Sequence, residues 1–283
     1  MNDYVRISLS AACACFFGGL VWDQLLDLSG FPAAPLPPGA VTEWIPPLRV
    51  AAALCLGFGV APLALRLRGS RIQRWAALSL FLFVTVALNT NIEVLVFSTL
   101  FAAGGFAAAL IRASVPLVAA AAVFAAARQP DGMRLQPRLT PLRLLVAWMS
   151  FPVIYLVFGM AAGPVVIRYY ENGGMGWLLL PAMTTVLQTQ LVRSAIYLIS
   201  VIPVLMLLAG ERKPALAALA AALFSAIGLF GLVQSTWFPL PMLTAHTVEI
   251  LGDCATYAIA LFWLLLPVRK ANAAHSVQAG YTT

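Results

Sequence analysis

The chain consists of long apolar stretches separated by short groups of polar and charged residues. A helix needs about 20 apolar residues to cross the hydrocarbon core of a bilayer, which is about 30 Å thick. Eight stretches are long enough, and each predicts one membrane-spanning helix. The predicted spans are residues 6–26, 47–66, 74–95, 99–127, 142–162, 187–209, 214–234 and 246–267. The pattern therefore predicts an all-α, polytopic transmembrane helical bundle that forms a single integral membrane domain over residues 1–283.

One apolar stretch, from Trp177 to Gly210, is too long for a single crossing. As one helix it would measure about 51 Å, at 1.5 Å per residue. Pro181 is expected to divide it, because proline lacks the backbone N–H that a helix interior requires. We therefore expect an interfacial or re-entrant segment at 177–186, before the sixth span begins.

Basic residues are concentrated in the connections on one side of the predicted bundle. Lys and Arg are retained in short cytoplasmic loops, so this side is expected to face the cytoplasm. The residues on that side are Arg6, Arg66, Arg68, Arg71, Arg74, Arg128, Arg134, Arg138, Arg143, Arg212, Lys213, Arg269 and Lys270. Only Arg49 and Arg168 fall in connections on the other side. This distribution predicts a multi-pass protein of the inner (plasma) membrane with both termini in the cytoplasm.

Composition agrees with a membrane location. Hydrophobic residues make up 62% of the chain and charged residues 10%, against about 45–50% and about 25% in soluble domains. These values exclude a soluble enzyme and a disordered tail. The net charge of +7 follows from the cytoplasmic arginines, so membrane lipids, and not nucleic acid, are the expected partners. The four cysteines lie in apolar stretches and predict neither a disulfide framework nor a zinc site.

Several ionisable side chains lie inside the predicted spans. Each costs about 2.5–3.5 kcal/mol at a helix centre on insertion scales, so each is a candidate functional residue. Counted from the inner ends at 1.5 Å per residue, they all fall in the outer third of the bilayer. His246, Glu249 and Asp253 are spaced i, i+3 and i+7 and therefore share one helix face. Asn89 and Glu93, at i and i+4, share another face.

These residues predict one polar cup that opens to the outside. The expected catalytic residues are His246, Glu249, Asp253 and Glu93, and the expected ligand-binding residues are Arg112, Arg193, Asn89, Gln188 and Tyr170. The inner parts of the spans, at 113–127, 194–208 and 254–266, contain no ionisable residue. We therefore expect the cup to be closed toward the cytoplasm, with Tyr169, Tyr170, Glu171 and the nearby glycines as its cover.

The residue types favour acid–base chemistry on an amphipathic or lipid-linked ligand. In this hypothesis His246 or Glu249 accepts a proton, and Arg112 and Arg193 hold a phosphate or carboxylate of the ligand. No catalytic motif of known mechanism is present, so the chain is not assigned to a class of enzyme. The alternative is a small-solute or proton-coupled transporter that uses the same carboxylates. In a third hypothesis the buried charges only neutralise one another and hold the helices together.

The sequence contains possible metal ligands and a faint internal repeat. His246, Glu249 and Asp253 with Glu93 are ligand types for zinc, iron or manganese, but a single intramembrane histidine specifies no metal and no cofactor. Residues 92–95 are faintly echoed by residues 248–251. This match is too weak to predict the duplicated halves that are found in many secondary transporters.

Overall fold

The computed structural model describes residues 2–101, 104–171 and 175–266. Within these ranges the chain forms eight helices that are long and apolar enough to cross a membrane, and no β-strand. They are α1 (Asp3–Leu28), α2 (Thr42–Ala64), α3 (Arg71–Phe97), α4 (Gly105–Ala125), α5 (Pro141–Tyr169), α6 (Met183–Leu207), α7 (Arg212–Leu232) and α8 (Leu240–Leu265). The predicted all-helical architecture is confirmed, and it is consistent with a multi-pass membrane protein.

The helices begin one to six residues from the predicted starts, and the local structure explains the differences at α4 and α6. α4 begins at Gly105, because Ser98 is extended and Gly104 has a φ of +86°, a left-handed conformation that glycine adopts without strain. α6 begins at Met183, because the chain before it pairs with the end of α3. The Leu179 N–H donates to the Phe97 carbonyl over 2.8 Å. The segment expected at 177–186 is therefore a short extended stretch followed by the first turn of α6.

Some sequence predictions concern residues outside the described ranges. They are the last residue of the eighth predicted span, the basic residues Arg269 and Lys270, and the loop residues Gly173 and Gly174.

The helices form two halves that repeat one packing order. In the first half α1 packs against α2 and α4, and α3 packs against α4; in the second half α5 packs against α6 and α8, and α7 packs against α8. The halves are joined where α2 packs against α7 and where α6 packs against α3. If each helix is replaced by its counterpart in the other half (α1 by α5, α2 by α6, α3 by α7, α4 by α8, and the reverse), every one of these contacts becomes another contact of the same set. A two-fold axis between the halves has this effect. The sequence match between residues 92–95 and 248–251 gave little support for duplicated halves, whereas the helix packing has this pattern.

The register of the repeat is clearest in α3 and α7. Each helix has twelve α-helical residues followed by six in a π-helix, Phe83–Leu88 in α3 and Phe224–Leu229 in α7. A shift of 141 positions aligns the two segments, and seven of the eighteen aligned pairs are identical. The identical pairs are Arg71/Arg212, Ala76/Ala217, Ala77/Ala218, Leu78/Leu219, Leu82/Leu223, Phe83/Phe224 and Leu88/Leu229. The same shift aligns Pro62 inside α2 with Pro203 inside α6.

The position of the axis is marked by one contact between equivalent segments and one contact between equivalent residues. The π-helical segments of α3 and α7 contact each other, and Leu67 pairs with Leu208 in an isolated antiparallel bridge. Leu67 and Leu208 are aligned by the same shift, and equivalent residues meet only close to a two-fold axis. The axis therefore runs along the bundle, with α2, α3, α6 and α7 around it. This is the arrangement of parallel repeats in membrane proteins.

One end of the bundle is closed by paired connections. We call this end the basic face, and define it by residues 65–70, 126–140 and 208–211. The backbone at 207–210 lies between the other two connections: the Arg68 N–H donates to the Leu207 carbonyl over 2.8 Å, and the Leu135 N–H donates to the Leu208 carbonyl over 2.7 Å. Leu67, Leu208 and Ala209 have no exposed surface. The connections therefore seal this end.

Arginines at the basic face bind carbonyl groups at helix C-termini. Arg74 donates to the Ala127 carbonyl over 2.7 Å, just after α4, and Arg143 donates to the Leu264 carbonyl over 2.6 Å, at the end of α8. Arg212 binds the Leu266 carbonyl. The last carbonyls of a helix lack partners within the helix and carry partial negative charge, so cations stabilise them. These arginines thus have a structural role in closing the bundle.

Candidate functional site

Polar side chains from four helices converge between α3, α5, α6 and α8. We call this set the acidic cluster: Glu93 on α3, Tyr155 on α5, Arg193 and Tyr197 on α6, and His246, Glu249 and Asp253 on α8. Asp253 lies close enough to Glu249, Glu93 and Arg193 to interact electrostatically with each of them. The cluster forms where α3 of the first half meets α6 of the second, and so lies at the interface between the halves.

Arg193 is the most enclosed charged member of the cluster. Its side chain is 3% exposed, and its Nη2 donates to Glu93 Oε2 over 3.0 Å. Its Nη1 donates to Gln190 Oε1 over 3.1 Å. The guanidinium carbon also lies 5.9 Å from the ring centroids of both Tyr155 and Tyr197, within range of cation–π attraction. Arg193 is therefore held by side chains of the protein itself, Glu93 among them.

His246 and Glu249 form a hydrogen-bonded pair. His246 Nδ1 lies 2.9 Å from Glu249 Oε2, and Glu249 is 9% exposed. An ionised carboxylate oxygen only accepts, so His246 Nδ1 is the donor of this hydrogen bond when Glu249 is ionised. Gly159 on α5 lies beside the carboxylate, since a Cβ there would be 3.5 Å from Glu249 Oε1, an ordinary van der Waals distance.

Several buried polar atoms of this region have no hydrogen-bond partner among the described residues. They are Nε of Arg193, Oδ1 of Asp253, Nε2 of Gln190, both amide atoms of Asn89 and the hydroxyl of Tyr257. Asp253 is 5% exposed, while Gln190 and Asn89 have no exposed surface. Buried polar atoms in folded proteins nearly always bind protein, water or a ligand. These atoms are therefore the ones that a bound polar group would satisfy.

Aromatic residues cover the cluster at the end opposite the basic face. Trp177 and Phe238 stack with centroids 6.2 Å apart, and the Phe238 ring lies 6.0 Å from the His246 ring. Tyr170 packs edge to face on Phe97 at 6.4 Å. Burial, together with the nearby carboxylates, raises the pKa of Tyr170, so its hydroxyl stays protonated and can donate.

Toward the basic face, buried aromatic rings pack beneath the cluster. Phe151 contacts Tyr197 and Tyr257 edge to face, with centroids 4.9 and 5.1 Å apart. Asp253 is also twelve residues from the end of α8 at Leu265, or about 18 Å, and thus near the middle of this helix. The cluster therefore extends along α8 as far as the middle of the helix.

The predicted residues are placed as follows. Glu93, Arg193, His246, Glu249 and Asp253 come together as expected. Tyr170 lies near Glu93 and Glu249, and Asn89 is buried one turn from Glu93.

Gln188 does not join the cluster. It is exposed, because it precedes Arg193 by five residues and points away from the Arg193 face of α6. Gln190, three residues before Arg193, occupies the predicted place.

Arg112 is also outside the acidic cluster, although its predicted depth was similar. Its Nη1 donates to Asp23 over 3.0 Å and its Nη2 to Asp27 over 2.7 Å. The reason is the packing order: α4 lies against α1 and α3, whereas α8 lies against α5 and α7. Arg112 and Arg193 therefore belong to different halves, and the expectation that they hold one ligand together is corrected.

Sequence reasoning also missed Tyr155 and Tyr197. Tyr197 had a signal, since it follows Arg193 by four residues on α6 and shares its face. Tyr155 had none, because only the packing of α5 against α6 and α8 brings it to the cluster.

The metal hypothesis finds no geometric support in the described residues. They contain no group of three or more His, Cys, Asp and Glu side chains that could hold a metal ion. His246 is bound to Glu249 and Glu93 is bound to Arg193, so three of the four proposed ligands are engaged in two separate pairs.

Comparison with known proteins gives this site no established counterpart. No known protein family matches the chain, and no significantly similar curated protein or solved structure was found. The acidic cluster is therefore interpreted from its own chemistry.

Proposed function

We propose that the protein is an inner-membrane protein that binds the cationic head of an amphipathic ligand in the acidic cluster and releases a proton as it does so. The basic face and both termini are on the cytoplasmic side in this proposal, and the ligand enters from the opposite, outer side. The observation that carries it is the unpartnered Asp253 Oδ1 beside the His246–Glu249 pair.

The charges of the cluster favour a cation. Three carboxylates, those of Glu93, Glu249 and Asp253, surround one arginine that is already bound to Glu93. With His246 neutral, ionised carboxylates would leave the cluster with excess negative charge, which is costly away from water. A proton held on His246 Nε2 compensates that charge when the site is empty. A cationic head group replaces this proton, which leaves from Nε2 to water, while Nδ1 keeps its hydrogen bond to Glu249.

Access from one side follows from the two ends of the bundle. The paired connections of the basic face bury Leu67 and Leu208 completely, whereas His246 and Glu93 at the other end keep 19% and 38% of their side chains exposed. Val157 and Met160 on α5 are also exposed apolar residues, next to which a ligand chain can lie in lipid. These features favour a ligand with a polar head and an apolar tail.

Dodecylamine is a suitable probe, and dodecanol is its uncharged control. Both are titrated into protein held in phosphatidylcholine nanodiscs, by calorimetry in two buffers of different ionisation enthalpy. We expect dodecylamine to bind with net proton release and dodecanol to bind more weakly without it. In His246→Gln we expect proton release to fall by at least half, whereas Thr244→Val, an exposed α8 residue, leaves it unchanged. Equal binding of the two probes with no proton release would overturn the proposal.

A proton-coupled transporter is the second candidate. It is favoured by the position of the acidic cluster at the interface between two repeated halves, where transporters of this type bind their substrates. Transport requires that the cluster become open to the basic face in a second state.

Cysteine labelling tests for that second state. Ala258 on α8 has no exposed surface and lies between the cluster and the basic face. After the four native cysteines are replaced by alanine, a transporter predicts that Ala258→Cys reacts with a membrane-impermeant maleimide from the basic face in the presence of dodecylamine. Arg128→Cys, exposed at that face, is the positive control. An Ala258→Cys protein that never reacts would contradict transport.

A further inference from the structure

The repeat maps the acidic cluster onto a second location in the first half. The shift of 141 positions aligns Asp253 with Arg112, Glu93 with Gln234 and Gln190 with Arg49. The helices α7, α1, α2 and α4 surround this second location, as α3, α5, α6 and α8 surround the acidic cluster. Thus, where the second half has Asp253, the first half has the arginine Arg112, and where the acidic cluster has Glu93, the second location has the amide Gln234.

A cavity of about 220 Å³ occupies this second location. We call it the basic cavity. Its lining includes Arg112, Gln234 and Arg49, all three of which the repeat predicts. Phe16 and Phe230 contribute to its apolar wall. The repeat, derived from helix packing and sequence, and the cavity therefore identify the same place independently.

The hydrogen bonds within the basic cavity leave Arg49 available to a ligand. Asp23 joins the two arginines, since its Oδ1 accepts from Arg112 over 3.0 Å and its Oδ2 from Arg49 over 2.9 Å. Arg112 is further bound to Asp27 and to the carbonyls of Phe31 and Pro32. Among the described residues, Arg49 is bound to Asp23 alone, and its side chain is 45% exposed. Its guanidinium therefore keeps donors free.

The cavity lining has two arginines and one aspartate and so carries net positive charge, in contrast to the acidic cluster; Asp27, which also binds Arg112, is 60% exposed and lies outside the lining. A guanidinium binds phosphate and carboxylate groups through two parallel hydrogen bonds. A cavity of about 220 Å³ has room for a small polar head group. Val21 and Leu25 on α1 are exposed apolar residues at the same end, where a chain can lie in the bilayer.

We infer that the basic cavity binds the anionic head, a phosphate or carboxylate, of a membrane amphiphile, with Arg49 as the residue that contacts it. This site is separate from the acidic cluster and does not depend on its proposed function. The two halves of the protein thus present sites of opposite charge to opposite classes of head group.

Native mass spectrometry of protein in nanodiscs tests this site. The nanodiscs contain phosphatidylcholine with a minor fraction of phosphatidylglycerol, and the lipid retained by the protein is counted after release. We expect the wild type to retain phosphatidylglycerol preferentially, and Arg49→Gln to weaken this retention about tenfold. Arg168→Gln is the matched control, because Arg168 is an exposed arginine that binds Tyr169 and does not line the cavity. It should retain phosphatidylglycerol like the wild type.

Further arms separate loss of binding from loss of folding. Arg49→Lys keeps the charge and should restore part of the retention, and each variant is checked for an unchanged melting temperature. Dodecylamine binding at the acidic cluster should be the same in Arg49→Gln as in the wild type. Competition by inorganic phosphate would show that the anionic group alone is recognised, and lack of competition that the lipid chain is also needed; both support the site. Equal retention of both lipids by wild type and Arg49→Gln would overturn it.

Discussion

Arg193→Met is expected to destabilise the protein more than any other single change in the acidic cluster. The substitution removes the hydrogen bonds to Glu93 and Gln190 and the cation–π contacts with Tyr155 and Tyr197. Breaking a buried ion pair by removing one partner typically costs about 3–5 kcal/mol. Glu93 keeps 38% of its side chain exposed, so we expect about 3 kcal/mol, the lower end of that range. The measurement is thermal unfolding of the purified protein in detergent.

A double-mutant cycle separates the ion pair from the packing of the long side chain. Glu93→Gln alone removes the partner at the exposed side of the pair and should cost less. In the double variant, Glu93→Gln should recover part of the loss caused by Arg193→Met, because no unpaired carboxylate remains. Arg168→Gln, at an exposed position, should melt like the wild type. If Arg193→Met also melts like the wild type, the contacts described for Arg193 do not stabilise the fold.

Glu249→Gln is expected to weaken dodecylamine binding by about ten- to a hundredfold while leaving the fold intact. The change keeps the size of the side chain but removes a negative charge, and a hydrogen bond to a charged group contributes about 1.5–3 kcal/mol. Affinity is measured by calorimetry in nanodiscs and stability by thermal unfolding. Glu171→Gln is the matched control, because Glu171 is an exposed carboxylate outside the cluster.

The same variant separates a binding site from charges that only hold helices together. If the His246–Glu249 pair serves packing alone, Glu249→Gln lowers the melting temperature, and dodecylamine binds as in Glu171→Gln. If the pair serves binding, affinity falls and the melting temperature stays close to that of the wild type. The proposed function requires the second result.

The face of α8 that carries the site was predictable because it depends only on helical periodicity. His246, Glu249 and Asp253 lie within one chain segment, and their spacing of three and four residues brings them to one side of any helix. The same local reasoning applies to Asn89 and Glu93 on α3. Residues that share a site for this reason can be grouped without knowledge of the fold.

Arg112 shows the limit of such reasoning. Distance along a helix gives the height of a residue in the membrane, but not the direction in which its helix lies from the others. Arg112 and Arg193 have similar predicted heights, and the packing order of the helices places them in different halves. Which helices pack against one another cannot be inferred from this single sequence.

The repeat was hidden for a related reason. The most conspicuous match, between residues 92–95 and 248–251, pairs α3 with α8 and is not the register of the fold. In the true register, Glu93 is aligned with Gln234 and Asp253 with Arg112, so polar residues that draw attention differ in charge. Five of the seven residue pairs that agree in α3 and α7 are alanines or leucines, which are common in any membrane helix.

The π-helical segments near the axis separate two parts of α3 and α7. In one part the aligned residues of the two helices are often identical, and in the other they differ. Their hydrogen bonds run from i to i+5, so each segment accommodates extra chain, and one extra residue turns the side chains beyond it by about 100° around the helix. Before these segments, toward the basic face, α3 and α7 share many residues; beyond them, Asn89 and Glu93 stand opposite Phe230 and Gln234. The protein is thus able to keep one closed base for both halves while each half presents a different chemistry at its open end.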